Sequence, residues 1–198
     1  MKRVFDLLLS SIALILLAPV LLLAAVVIKL DSRGPVFFRQ ERIGKGGRPF
    51  LILKLRSMVQ DAALKGGLIT CGEDPRITTA GSWLRKTKID ELPQLFNILK
   101  GDMSFVGPRP EVQKYVDMFR EDFEQILQVR PGLTDLASLR YRDEADILGS
   151  FENPEEAYRQ QILPDKIRLA KEYLRHSSIL FDMSLIVRTL IKVAHFSK

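Results

Sequence analysis

Residues Val4 to Leu30 form an almost unbroken apolar run, interrupted only by Asp6, Ser10, Ser11, Pro19 and Lys29. About 20 apolar residues suffice for a helix to cross a bilayer, so this stretch decides where the rest of the chain must live. It is too long for the apolar region of a secretory signal, and no small-x-small cleavage site follows. Lys2 and Arg3 precede the run, and Lys29, Arg33, Arg39, Arg42, Lys45 and Arg48 follow it. Positive residues collect on the cytoplasmic side of a membrane, and here both flanks claim that side. Pro19 lies near the middle, where it removes a helix hydrogen bond and kinks the chain. A helix-break-helix hairpin entering one leaflet and returning satisfies both observations. A single span with a tolerated proline satisfies the hydropathy alone. Ser10 and Ser11 are the candidates to satisfy backbone groups freed by the kink.

The chain has 198 residues and a formal net charge of +6. That length suits one catalytic domain with an accessory segment, and a basic excess points to phosphates. Cys71 is the single cysteine, which excludes an intrachain disulfide framework and a multi-cysteine zinc site. His176 and His195 lie apart, late in the chain, which argues against histidine-based metal catalysis.

Within the remainder, one stretch concentrates chemistry: Lys88 to Pro110, KIDELPQLFNILKGDMSFVGPRP. Asp90 reads as the N-cap or first-turn residue of a short helix. Pro93 sits early, Leu92, Leu95, Phe96 and Leu99 form an apolar face, and Gly101 ends the helix. Asp90 and Glu91 then stand at a helix N-terminus that favours anions, with Arg85, Lys86 and Lys88 just upstream. An isolated acidic pair there is usually a solvated first turn. The neighbouring cations, and Arg109 held between Pro108 and Pro110, shift the balance toward a multiply negative ligand sharing a metal with the carboxylates.

Upstream, Val36 to Arg39 and Pro49 to Leu55 read as strands joined by a glycine-rich turn at Gly44 to Gly47. Lys54 and Arg56 fall on one side of the second strand, as an amphipathic edge or as a cationic wall for a pyrophosphate. Gln60 to Arg76 reads as a polar excursion, and Ile77 to Lys88 as a helix with Trp83 and Leu84 inward. Glu111 to Gln128 reads as one helix carrying Val112, Tyr115, Val116, Phe119 and Phe123. Arg130-Pro131-Gly132-Leu133-Thr134 is a rigid turn presenting Arg130. Arg142 to Glu156 is an acidic, solvated surface, and Tyr158 to His176 a charged helix. Ser178 to Lys198 is amphipathic and too charged to span, suited to the membrane surface or to packing on the domain.

These motifs, in this order, resemble the small monotopic phosphoglycosyl transferases, bacterial sugar transferases that begin lipid-linked glycan assembly. The resemblance covers nearly the whole chain. It rests on the basic start and the apolar segment around Pro19, Lys54-Leu55-Arg56-Ser57-Met58, Asp90-Glu91-Leu92-Pro93-Gln94, Gly101-Asp102-Met103-Ser104, Val106-Gly107-Pro108-Arg109-Pro110 and Arg130-Pro131-Gly132-Leu133-Thr134.

The resemblance implies a mostly helical α+β fold. Residues 1–32 would form a re-entrant, kinked membrane helix broken near Pro19. Residues 33–198 would form a small cytoplasmic catalytic domain with a β-hairpin and interfacial amphipathic helices. It implies a monotopic enzyme on the cytoplasmic face of the bacterial inner membrane. Asp90 would be the nucleophile toward the β-phosphate of a UDP-sugar, releasing UMP and leaving a covalent phospho-sugar that polyprenyl (undecaprenyl) phosphate then accepts. Such a step would open glycoprotein, O-antigen, capsule or exopolysaccharide assembly. Glu91 would hold Mg2+, and Lys54, Arg56, Arg85, Arg109 and Arg130 would bind substrate phosphate. The partners implied are UDP-sugar, polyprenyl phosphate and inner-membrane lipids, with later glycosyltransferases or a second copy of the chain as further candidates, and no nucleic acid.

Two positions depart from the family pattern: Ala18-Pro19 stands where Ser-Pro is common, and Asp135 where glycine often follows the Arg-Pro-Gly turn. The alternative from another class is a membrane-anchored basic binding or scaffold protein without catalysis. Charge alone supports it, since the chain has no groove-reading helix and no aromatic-basic strand pattern.

Overall fold

The computed structural model describes residues 2–67 and 69–195. The apolar run is a single helix, α1 (Lys2–Asp31), which continues through Pro19. At 1.5 Å per residue it is about 45 Å long. The expected interruption into two helices is therefore not present. Ser10 Oγ donates to the Asp6 and Leu7 carbonyls, within its own preceding turns, and not to a group freed by the proline.

One stripe of α1 faces the rest of the protein. Asp6, Ser10, Ala24 and Ile28 are buried, and Leu9, Ala13, Leu14, Leu17 and Leu21 pack partly against the core. These positions repeat at helical spacing along the full length. The other faces, including Ile12, Ile15, Leu16, Leu22 and Leu23, are exposed.

Both ends of α1 are fastened to the same body. At the start, Lys2 Nζ pairs with Asp182 and donates to the Tyr173 hydroxyl and the Val106 carbonyl. Arg3 donates to the carbonyls of Ile98 and Leu99, and the Asp6 carboxylate accepts from Ser104 Oγ and the Phe105 N–H. At the other end, Arg56 gathers the carbonyls of Ile28, Ser32 and Arg33, and Asp31 accepts from the Ala80 N–H.

Strands β1 (Phe37–Ile43) and β2 (Pro49–Leu55) form an antiparallel hairpin, with Phe37 opposite Leu55 and Ile43 opposite Pro49. The first strand is longer than its apolar residues suggest, because Arg39, Glu41 and neighbouring polar residues sit on an edge. The glycine turn that joins them is tied down by the Gly46 N–H, which donates to the Leu127 carbonyl at 2.7 Å. The polar excursion contains a short helix, α2 (Ala62–Lys65), and an Asp74–Arg76 ion pair of 2.6 Å.

Helix α3 (Thr79–Thr87) is capped by Thr78, which accepts from the Gly81 N–H. Leu84 is fully buried, but Trp83 is 54% exposed, contrary to its expected inward place. A 3₁₀ turn (Ile89–Glu91) leads to α4 (Gln94–Lys100), with Pro93 as its cap position, so Asp90 precedes the helix and does not cap it. The inward face of α4 is Gln94, Leu95, Asn97 and Ile98, and Phe96 points outward.

Strand β3 (Ser104–Val106) follows, then α5 (Gln113–Met118) and α6 (Arg120–Ile126), separated at Phe119, whose non-helical backbone divides the single helix expected there. Strand β4 (Gly132–Thr134) runs parallel to β3. Next come α7 (Leu136–Arg140), α8 (Glu144–Gly149) and α9 (Pro154–Ala157). The acidic stretch is not merely solvated, since Leu148 within it is fully buried. A π turn (Tyr158–Ile162) precedes α10 (Leu163–His176), and α11 (Ile179–Ala194) ends the described chain.

The fold is thus mostly helical with two small two-stranded sheets. The core lies on both sides of α10. Ile43, Tyr115, Phe123, Tyr158 and Ile167 fill one side, and Ile52, Leu95, Met103, Val106, Tyr173 and Leu185 fill the other. A third cluster of Ala24, Ile28, Leu55 and Leu84 seats the end of α1. Cys71 is a free, half-buried thiol packed against the first side. On α11, Leu180, Met183, Val187, Leu190 and Ile191 are exposed at helical spacing, leaving an apolar face outward.

Candidate active site

The acidic pair sits where four elements converge. Helix α3 ends in Lys88, whose left-handed backbone (φ 58°) reverses the chain into the 3₁₀ turn carrying Asp90 and Glu91. Strand β2 brings Lys54. Its register against the pair is set by Asn97 of α4, whose side chain accepts from the Leu53 N–H at 2.9 Å and donates to the Leu51 carbonyl at 2.8 Å. Asn97 thereby completes the strand edge as another strand would.

The loop after β3 brings Arg109. That loop lies flush on the Arg130-Pro131-Gly132 turn because Gly107 and Gly132 meet backbone to backbone. A side chain at Gly132 would stand 2.1 Å from the Gly107 nitrogen. The Arg109 N–H is held by Asp135 Oδ2 at 3.1 Å, and Asp135 Oδ1 caps α7 through the Ser138 N–H at 2.6 Å. The unusual residue after the Arg-Pro-Gly turn is therefore a bracket between α7 and the arginine loop.

Glu91 is gripped by two cations. Lys54 Nζ lies 2.9 Å from Oε1, Arg109 Nη2 lies 2.5 Å from Oε1, and Arg109 Nη1 lies 3.3 Å from Oε2. Burial alone would push the Glu91 carboxyl up, but the charges of Arg109, Lys54 and Lys88 and the Arg109 hydrogen bond hold it well below the usual carboxylate range. The same pairing raises the Arg109 guanidinium. Glu91 is a fixed anion.

Asp90 is the opposite. Its carboxylate is buried and Oδ1 has no hydrogen-bond partner among the described residues. Burial and then the neighbouring Glu91 charge push it up to about 6, against the pull of Lys54, Lys88 and Arg85. Two adjacent carboxylates thus have opposite fates: one neutralised by ion pairs, one desolvated, unbonded and still ionised at neutral pH. A carboxylate whose lone pairs are unspent in a dry, cationic setting is what a nucleophile requires.

Of the other expected phosphate ligands, Arg85 acts on Asp90 through its charge. Arg130 Nε is bonded to the Gly101 carbonyl at 2.8 Å, closing the end of α4. Arg56 is buried at the C-terminal end of α1 with only main-chain carbonyls as acceptors. The structure places it as a clasp on α1, apart from the wall that Lys54 presents to Glu91. Pro19 lies mid-helix, on an exposed face.

No group of three or more His, Cys, Asp or Glu side chains arranged to hold a metal occurs among the described residues. The less occupied Oε2 of Glu91 is a hard oxygen donor. It fits a magnesium ion that takes one or two carboxylates and completes its shell with ligand phosphates and water.

Comparison with known proteins decides the family. The sequence profile for bacterial sugar transferases matches residues 1–196. This chain is a member of the bacterial sugar transferase family. An Aeromonas hydrophila relative is 46% identical over 73% of this chain and is named UDP-N-acetylgalactosamine-undecaprenyl-phosphate N-acetylgalactosaminephosphotransferase. Relatives from Caulobacter vibrioides (42% identical over 96% of this chain) and Escherichia coli (36% over 97%) are named UDP-glucose:undecaprenyl-phosphate glucose-1-phosphate transferase. The match spans 35% of the Aeromonas protein, 40% of the E. coli protein and 68% of the Caulobacter protein, so this bacterial sugar transferase corresponds to one part of its longer relatives.

Two features of the site escape a reading by motif. Asn97 lies inside a stretch that reads as an amphipathic helix, and only a polar residue at an inward position signals it. Asp135 registers in the sequence only as a departure from the family pattern.

Proposed function

We propose that this protein transfers a sugar-1-phosphate from a UDP-sugar to polyprenyl phosphate through a covalent intermediate on Asp90. The observation that carries this is the contrast within the pair, Asp90 buried and unbonded beside a Glu91 locked by Lys54 and Arg109.

In the first step a carboxylate oxygen of Asp90 attacks the phosphorus bearing the sugar. A P–O bond forms to Asp90, the phosphoanhydride breaks, and UMP leaves with the bonding electron pair. In the second step an oxygen of polyprenyl phosphate attacks the same phosphorus. The acyl-phosphate bond breaks, Asp90 is regenerated as a carboxylate, and polyprenyl-diphospho-sugar is released. Splitting the transfer in two lets each half proceed by in-line attack from a positioned anion. Arg109 and Lys54 supply fixed positive charge against the phosphoryl oxygens, already oriented before substrate arrives. Magnesium, held by Glu91 together with the diphosphate, would supply further neutralisation of the leaving phosphate.

The site works from the cytoplasmic face of the inner membrane, with α1 as a monotopic anchor. What supports this is that both ends of α1 are fastened to one body and a single stripe of it packs there along its whole length. A helix so held lies against the catalytic domain, with its exposed apolar faces and that of α11 available to lipid. Single-cysteine labels near residues 3 and 33 react from the cytoplasmic side only; a label at 33 reached from the far side refutes the arrangement.

The deciding experiment is UMP release by the detergent-solubilised protein with magnesium, polyprenyl phosphate and a panel of UDP-sugars. Release with one donor, and acid-labile sugar phosphate retained on the protein when acceptor is withheld, are the expected results. Both are lost in Asp90→Asn. Undiminished release in that variant removes Asp90 as nucleophile.

A further inference from the structure

Four cations surround the acidic pair: Lys54, Arg85, Lys88 and Arg109. Lys54 and Arg109 share one carboxylate, each pairing directly with Glu91. Lys88 and Arg85 have no carboxylate within ion-pair distance among the described residues, and Lys88 Nζ has a single acceptor there, the Arg142 carbonyl at 3.2 Å. The site therefore carries surplus positive charge, and part of it is on a residue directly before the Ile89-Asp90-Glu91 turn.

The backbone at that residue is unusual. Lys88 is the one non-glycine residue with positive φ among the described residues (φ 58°, ψ 15°). It closes α3 through its own N–H to the Arg85 carbonyl, and its carbonyl accepts from the Glu91 N–H. Chains end helices this way with glycine, or with asparagine, because those residues tolerate the left-handed region. A lysine there gains from the helix dipole, but any lysine in the last turn would do so without the left-handed backbone. Backbone strain of this kind is kept where the side chain it presents has work to do. Here the left-handed turn holds a half-buried lysine directly before the turn that carries Asp90 and Glu91, where it feels the charges of Glu91, Arg109, Asp90 and Lys54.

We propose that Lys88 is a direct ligand of the substrate diphosphate, a cation with no carboxylate in ion-pair contact that draws a nucleoside diphosphate onto Asp90. The inference rests on the transferase reading above. Its chemistry is that of a point-charge phosphate binder with donors to spare after its bond to Arg142. The alternative is a lysine that serves only as a helix terminus.

The two roles separate cleanly, because Asn and Gly suit the left-handed backbone better than lysine does. Binding of UDP to the full-length, detergent-solubilised protein is measured by calorimetry for wild type, Lys88→Asn and Lys88→Gly, with Lys86→Asn, an exposed neighbour, as the control. Thermal unfolding is followed in parallel. Lys88→Asn and Lys88→Gly are expected to unfold at or above the wild-type temperature yet bind UDP about tenfold more weakly, with Lys86→Asn unchanged. Binding within twofold of wild type in both Lys88 variants overturns the proposal and leaves the transferase reading intact. Absence of UDP binding by the wild-type protein overturns both.

Discussion

Arg109 holds Glu91 through both terminal nitrogens of its guanidinium, at 2.5 and 3.3 Å, while Lys54 takes the same carboxylate from the β2 side at 2.9 Å. Removing the charge of Glu91 leaves two cations facing each other. Breaking a buried pair costs about 3–5 kcal/mol. Here the Arg109 side chain keeps 30% exposure, so water relieves part of that. Glu91→Gln is expected to lose about 2 kcal/mol of stability, read as a lower unfolding midpoint in denaturant, and to lose UMP release. A variant as stable as wild type contradicts the ion-pair account.

The fork geometry gives a second expectation. Arg109→Lys keeps a charge but can meet only one carboxylate oxygen at a time. Activity should fall by about 10²-fold, with the larger part in kcat, because pre-orientation of the cation and not its charge is lost. A loss confined to KM would place Arg109 in ground-state binding only.

Asp90 makes pH a sharp test. Its folded-state value is raised from an ordinary 3.8 to about 6, mainly by burial. The group therefore contributes stability that is present below about pH 4 and lost as pH rises through about 6. At pH 7.5 the ionised, buried carboxylate is a burden on the order of 3 kcal/mol. Asp90→Asn should raise the unfolding temperature at pH 7.5, and the advantage should shrink toward pH 4. Wild-type activity should fall on the acid side with an apparent midpoint near 6, where Asp90, the proposed nucleophile, takes up its proton. A midpoint near 4 would mean that Asp90 is solvated in the working enzyme.

Much of this site is legible in the sequence because its parts are local. Asp90, Glu91 and the arginine between prolines announce themselves by type and spacing, and the β-hairpin and the amphipathic last helix follow from alternation and period. The failures have one cause. Burial on α4 is decided by what β2 and α1 offer, so Phe96 turns outward and Asn97 inward, against hydrophobicity alone. Arg56 reads as a partner of Lys54 on a strand face. Chain reversal after Leu55 instead carries it beneath the last carbonyls of α1, a contact between residues more than 20 apart in sequence. The break at Phe119 is likewise invisible to a period count that runs smoothly through it.

Asp135 separates positioning from folding. Its two oxygens do different work, Oδ1 on the Ser138 N–H and Oδ2 on the Arg109 N–H. Asp135→Ala removes both and should lose about 1 kcal/mol or more, as for other helix caps. Asp135→Asn keeps the cap but turns an amide toward the Arg109 N–H. Its activity should drop several-fold with a smaller change in unfolding temperature than the alanine variant shows. Equal effects of the two variants on activity and stability would reduce Asp135 to a cap.

The most severe single change is expected far from any charge. Gly107, directly after β3, and Gly132, the first residue of β4, face each other, tied by the Gly107 N–H to the Thr134 carbonyl and the Gly132 N–H to the Pro108 carbonyl. A Cβ on Gly132 would stand 2.1 Å from the Gly107 nitrogen and 2.3 Å from its oxygen, both main-chain atoms that no rotamer change can move. The strands must part, and Arg109 lies two residues beyond the contact. Overpacking of this kind costs about 1–3 kcal/mol or more, so Gly132→Ala should lower the unfolding temperature by several degrees and abolish UMP release. Gly46→Ala is the control. Its Cβ meets nothing within 4 Å, but φ is +69°, so only the left-handed backbone penalty of about 1 kcal/mol applies. That variant should be mildly destabilised and fully active. A Gly132→Ala protein with normal activity would show that the arginine loop does not depend on this close approach.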